Sequence, residues 1–212
     1  MKKIDISTWN RREHFAFFRK VDLPFYNVNT QVDITGLPEL AKSKSISINS
    51  LLIFLTIQSM NQIDNFRYRI RDDSVYLHDA VHPSFTHLKK GEELFRIITM
   101  DFDNDLKRFD DKLKQAVEES TSYFDLSKAA GRDDLVFMSA LPWISFTGLD
   151  HTLSLDKDDA IPRVSWGRYV TNAEQTLLPF NIRVNHVVVD GLHLGLFFEE
   201  FARQIKCLRE LA

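Results

Sequence analysis

The run L-L-P-F-N-I-R-V-N-H-V-V-V-D-G, from Leu177 to Gly191, constrains the fold more than any other stretch. So long an apolar segment predicts a buried strand over 177–189, ended by Asp190 or Gly191. Beyond it, Leu196, Phe197, Phe201, Ile205 and Leu208 recur at helical spacing. They predict a terminal helix over 192–211. Upstream, residues 9–20 interleave basic and aromatic side chains in a short helix or turn. Residues 26–34 alternate as a strand. Asn49 or Ser50 caps an apolar helix running to about Gln62. Short strands follow at 68–71, 75–77 and 84–89, with Asp72-Asp73-Ser74 as the turn between the first two. Another strand is predicted at 94–101, a helix over 104–120, and strands at 135–139 and 163–171. Strands and helices mix without strict alternation. That predicts an α/β protein with a mixed β-sheet packed with helices, rather than a doubly wound parallel sheet.

The 212 residues carry no evident linker, repeat or low-complexity tract, so a single domain over 1–212 is expected. The net charge of −3 argues against a nucleic-acid binder. Seventeen phenylalanines against seven glycines suggest a large aromatic core, an aromatic pocket or a subunit interface. The single cysteine, Cys207, forms no intrachain disulfide and reads as a structural thiol on the last helix. The opening M-K-K-I-D lacks the apolar core of a secretion signal. No apolar run reaches the ~18–20 residues of a membrane span. No membrane association and a cytoplasmic setting are therefore expected.

Three constellations carry chemistry. His186 and Asp190 lie four residues apart around three valines. A histidine there is either a core residue bonded to backbone or a general base, since imidazole titrates near neutrality. Contact between the two cannot be assumed, because the strand is expected to end before Asp190. The spacing of His186, Asp190 and His193 matches no zinc pattern, so no metal is expected. Arg11 and Arg12 lie among Trp9, Phe15, Phe17 and Phe18; if one of them is buried it needs a carboxylate, and Asp190 is a candidate. Ser139, in S-A-L-P-W, lacks the flanking glycines of a nucleophile elbow. It is either a plain strand-end serine or a hydroxyl donor to an oxyanion.

The blocks W-N-R-R-E-H-F-A-F-F-R, V-D-I-T, S-A-L-P-W and L-L-P-F-N-I-R-V-N-H-V-V-V-D-G, in this order, resemble the chloramphenicol acetyltransferase family over nearly the whole chain. The last block carries the family's H-H-x-x-x-D-G pattern, shared with dihydrolipoyl acyltransferases and condensation domains; R-R-E-H-F and S-A-L-P-W are more specific. The resemblance implies a two-layer sandwich of the CoA-dependent acyltransferase type, and a homotrimer with active sites between subunits. It implies acetyl-CoA as co-substrate with no permanently bound cofactor, and an acceptor such as chloramphenicol. His186 becomes the general base, and Ser139 the oxyanion donor. Asp190, Arg11 and Ser165 support the site, Ser165 standing where the family has a threonine. Phe17, Phe18, Phe25, Phe95 and His151 fall in the acceptor pocket. Trp143, Arg168 and Tyr169 fall in the CoA tunnel.

The chain departs from the pattern at Asn185, where the family has a first histidine; strand alternation would turn it away from His186. Phe18, Phe25 and His151 replace a tyrosine, a cysteine and a leucine. The expected function is O-acetylation of chloramphenicol, conferring antibiotic resistance. The alternatives are a homologous acetyltransferase for another small alcohol or amine, and a non-catalytic trimeric ligand-binding protein.

Overall fold

The computed structural model describes residues 1–152 and 154–210. Its main sheet uses β2 (Phe25–Asp33), β5 (His82–His87), β6 (Arg96–Thr99), β7 (Leu135–Leu141), β8 (Arg163–Gly167), β9 (Val170–Thr171) and β10 (Thr176–Asn185). Their order is β2-β10-β8-β7-β5-β6, with β9 also on β10. β5, β7 and β8 run parallel and the other pairs antiparallel, so the sheet is mixed, as the sequence predicts. A second sheet, β1-β4-β3, joins β1 (Lys2–Lys3), β3 (Tyr68–Arg71) and β4 (Ser74–Leu77).

One face of the main sheet carries the helices. Phe180 on β10 meets Phe197, Phe198 and Phe201 of α5 (Gly191–Glu210) at ring distances of 5.9, 5.8 and 5.9 Å. The phenylalanine excess is thus largely core, where such edge and tilted packing adds to area burial. α3 (Ile48–Asn61) is apolar on nearly every side because it lies between the sheet and two helices, α5 and α4 (Leu106–Glu119). The buried Asp110 of α4 accepts from Ser50 Oγ at 2.8 Å and pairs with Lys114. Alternation along β10 sends Asn181, Arg183 and Asn185 to the opposite face, under the segment 142–162.

Several boundaries differ from expectation, each for a local reason. The α3 cap is Ser47, whose side chain accepts from Ser50 N, not Asn49 or Ser50. Helices α1 (Arg12–Phe18) and α2 (Leu37–Ser43) are seven residues each, and α2 shows too few turns for its periodicity to register. Gly36 enters α2 at φ +81°, which glycine adopts without steric cost. The strand predicted at 94–101 contracts to β6, and the one at 84–89 shifts to β5. The strand predicted over 163–171 breaks after Gly167, where Arg168 N–H turns to the Ile144 carbonyl at 2.8 Å. The predicted end of the last helix, Leu211, lies outside the described residues; α5 reaches Glu210. Among the described residues no single helix is long and apolar enough to cross a membrane.

The largest correction concerns the opening run. The strand stops at Asn185 and does not continue to Val189. Asn185 ends it: its Oδ1 accepts from Val187 N at 3.0 Å, and its carbonyl accepts from Val188 and Val189 N. Its Nδ2 donates to the Lys157 and Asp159 carbonyls. An asparagine side chain that mimics backbone in this way favours a turn over a strand. Val187, Val188 and Val189 are buried as expected, but in a turn.

Candidate active site

His186 sits at the first position of that turn. Its N–H donates to the Pro24 carbonyl at 2.7 Å, tying the turn to the chain just before β2. Phe18 stacks on the imidazole at 4.0 Å between centroids and 20° between planes, and Tyr26 lies 4.7 Å away, tilted. Phe17, 65% exposed, packs edge-on against Phe18. Burial, and next the Asp190 charge, push the Tyr26 hydroxyl up to about 12, so it stays protonated beside the ring.

Asp190 reaches back to both His186 and Arg11. Arg11, 8% exposed, holds the carboxylate with both terminal nitrogens, one of them at 2.9 Å from Oδ1. It also donates to the His186 and Val187 carbonyls at 3.3 Å. These bonds hold the Asp190 carboxyl below its ordinary range, against the opposing effect of burial. An ionised carboxylate only accepts. His186 Nδ1 lies 3.1 Å from Asp190 Oδ1, so a proton on Nδ1 has an acceptor there, and the tautomer that carries it leaves Nε2 with its lone pair. The side chain is 36% exposed, which leaves the ring reachable. His193 is engaged otherwise: its Nδ1 accepts from Asp190 N at 2.8 Å. Among the described residues no group of three or more His, Cys, Asp or Glu side chains is arranged to hold a metal ion.

A second centre lies at the carboxyl ends of the parallel strands β5, β7 and β8. There a cavity of about 670 Å³ is lined by Ser139, Phe95, Trp143, Arg168 and Tyr169, together with Thr86 and Asn49. This volume suits a small-molecule or cofactor site. Trp166 Nε1 donates to Asn49 Oδ1 at 3.1 Å and closes its floor. Its rim depends on Gly167: a Cβ there would lie 2.5 Å from the Ile144 carbonyl oxygen, so only glycine lets the segment after Trp143 approach. Trp143 is 64% exposed and Phe95, edge-on to Phe124, 45%.

Ser139, Ser165 and Asn181 are in register across β7, β8 and β10. Ser165 is buried. Asn181, wholly buried, donates to Asn27 Oδ1 and Asn29 Oδ1 at 2.9 Å each, and to the Leu149 carbonyl. Its Oδ1 accepts from His151 Nε2 at 2.7 Å, and burial pushes His151 down from its ordinary value. Phe25 faces the Arg183 guanidinium at 5.2 Å, on the edge next to His186. The predicted residues therefore form two centres, not one. From Asn181 to Asn185 is four residues, and Ser139 lies two strands across. Strand geometry separates Ser139 from Asn185, the residue before His186, by roughly 16 Å within one chain.

Tyr26, Thr86 and Gly167 were not singled out by sequence reasoning, and Asn49 was read only as a candidate helix cap. A lone threonine or tyrosine in a strand carries no signal; Asn181 was missed as well, although a polar residue interrupting the apolar run 177–189 is a signal that could have found it.

The whole arrangement has close counterparts. The chain matches the family described as chloramphenicol acetyltransferase over residues 1–202. It is 30% identical over 200 residues to a chloramphenicol acetyltransferase of Klebsiella sp, covering 93% of this chain and 90% of that protein. A solved chloramphenicol acetyltransferase structure superposes with a TM-score of 0.88 at 25% identity, over 96% of this chain and 100% of the other. The cubic core of the pyruvate dehydrogenase multienzyme complex shares the fold, with a TM-score of 0.64 at 12% identity, over 92% of this chain and 86% of that one. With the match running from the first residue into the last helix, the chain belongs to the chloramphenicol acetyltransferase family.

Proposed function

We propose that this protein is an acetyl-CoA-dependent O-acetyltransferase that acetylates the primary hydroxyl of chloramphenicol and so confers resistance to it. The observation that carries the reading is the Arg11–Asp190–His186 chain, which leaves Nε2 as a base. His186 Nε2 takes the hydroxyl proton while the hydroxyl oxygen attacks the thioester carbonyl carbon. Ser139 donates to the oxyanion of the tetrahedral intermediate. The C–S bond then breaks, and His186 returns the proton to the CoA sulfur. The transfer is direct, with no acyl-enzyme and no resident cofactor or metal.

In this reading residues 1–212 form one domain in the cytoplasm. Trp143, Arg168 and Tyr169 take CoA, with Tyr169 against the adenine and Arg168 on a phosphate. Phe17, Phe18, Phe25, Phe95 and His151 line the acceptor side. Ser165 positions water near the intermediate. The separation of Ser139 from His186 within one chain supports a homotrimer, in which the base of one subunit serves the cavity of the next.

A second reading keeps the chemistry and changes the acceptor. It is favoured by His151, whose hydrogen bond to Asn181 gives the acceptor side a polar group. Free-thiol release from acetyl-CoA, with and without chloramphenicol, separates the two. Chloramphenicol-dependent release that falls ~10²–10⁴-fold in His186→Ala supports the first reading. Release that requires a different alcohol or amine supports the second. Ligand binding without turnover of any acceptor would leave a non-catalytic binder.

A further inference from the structure

Ser139 has a neighbour whose placement bears on its own proton. Thr86 Oγ1 lies 3.0 Å from Ser139 Oγ, and both side chains line the cavity. The two residues sit side by side on the parallel pair β5–β7, one step beyond the Phe85–Met138 register. β5 is hydrogen-bonded on its other edge to β6, so the backbone of Thr86 is fixed from both sides. A β-branched side chain on such a strand has little χ1 freedom.

A hydroxyl has one proton and two lone pairs. Two hydroxyls at this distance share one proton in their contact, and either can give it. If Ser139 gave its proton to Thr86, nothing would remain for an oxyanion. If Thr86 gives its proton, Ser139 Oγ is satisfied as an acceptor and its own O–H is left to point into the cavity. A bond received in this way also strengthens the bond given, because hydrogen bonds in a chain polarise one another.

We propose that Thr86 is a positioning residue for acyl transfer: its hydroxyl donates to Ser139 Oγ and turns the single Ser139 proton toward the thioester carbonyl oxygen. This rests on the oxyanion role given to Ser139. No proton moves along the pair during the reaction. The proton taken from the acceptor hydroxyl still travels through His186 to the departing sulfur.

The test is a double-mutant cycle on steady-state kcat and KM, using Thr86→Val, Ser139→Ala and both together, with Thr86→Ser as the conservative variant. Thr86→Val keeps the shape and removes the hydroxyl. We expect kcat to fall about tenfold with KM for acetyl-CoA within about twofold, as for a lost hydrogen bond felt in the transition state. Thr86→Ser should recover most of the rate, and Thr86→Val should cost nothing further in the Ser139→Ala background. A Thr86→Val enzyme at parental kcat overturns the proposal. So does an equal loss in both backgrounds, or a loss that tracks a lowered melting temperature and that serine fails to restore. If Ser139→Ala itself keeps full activity, the oxyanion reading fails first and takes the Thr86 role with it, a result distinct from failure of the coupling alone.

Discussion

His186 and Ser139 are held in opposite ways. The histidine is fixed by a backbone bond to Pro24, a stacked Phe18 ring, the Asp190 carboxylate and, through it, a buried arginine from the other end of the chain. All of these partners come from one chain. Ser139 stands in an open cavity, held by one hydroxyl and rimmed by exposed aromatic side chains. A base must meet the acceptor at one angle with one nitrogen, which calls for prior orientation. A tunnel for a long thioester needs room and uncommitted surface. The two centres therefore answer mutations differently.

The largest stability effect is expected at the orienting end. Arg11→Val leaves the Asp190 carboxylate without its guanidinium and removes two bonds to the turn carbonyls. Breaking a buried pair costs about 3–5 kcal/mol, and the partial exposure of Asp190 places this one near the low end. A fall of roughly 6–12 °C in melting temperature should accompany lost turnover. Unchanged melting would mean that the long-range tie does not anchor the turn.

At the open end the effect should be on binding alone. Trp143→Ala removes an exposed ring from the cavity rim, so KM for acetyl-CoA should rise up to about tenfold with melting unchanged. A fall in kcat at constant KM would place Trp143 in the chemistry and blur the contrast.

A smaller effect comes from pH. Burial lowers His151 from its ordinary value, as it does His82, His87 and His193. Below pH of about 6.5 the unfolded chain binds protons at these sites that the folded chain declines. Stability should therefore fall as pH drops through that value. His151→Leu removes one contributor, so its melting temperature should fall less between pH 7.5 and 5.5 than that of the parent. An equal fall would show that His151 does not resist protonation in the fold.

How much of this was legible beforehand follows the range of the interactions. The mixed sheet, the apolar helix α3 and the terminal helix were written in local periodicity. That Arg11 or Arg12 would need a carboxylate such as Asp190 was legible from the aromatic residues around them; the family resemblance selected Arg11. The path of the chain around His186 was not. Three valines argue for a strand, and the turn is imposed by Asn185, whose side chain bonds its own backbone and the carbonyls of Lys157 and Asp159. That makes Asn185 a builder of the turn rather than a mere loss of the family's first histidine. Short α2 and the Gly167 approach to Ile144 were hidden for the same reason: tertiary contacts decide them.

Under the proposed function, base and oxyanion donor are expected to meet only between copies of the chain. His186→Ala and Ser139→Ala variants, each nearly inactive, should be co-folded in equal amounts and assayed for thiol release. If the site joins two subunits, random assembly in a closed ring restores about one quarter of parental activity, because some interfaces carry both intact residues. Mixed oligomers that form and stay as inactive as either variant would place both residues of each site in the same chain and rule out a site shared between subunits.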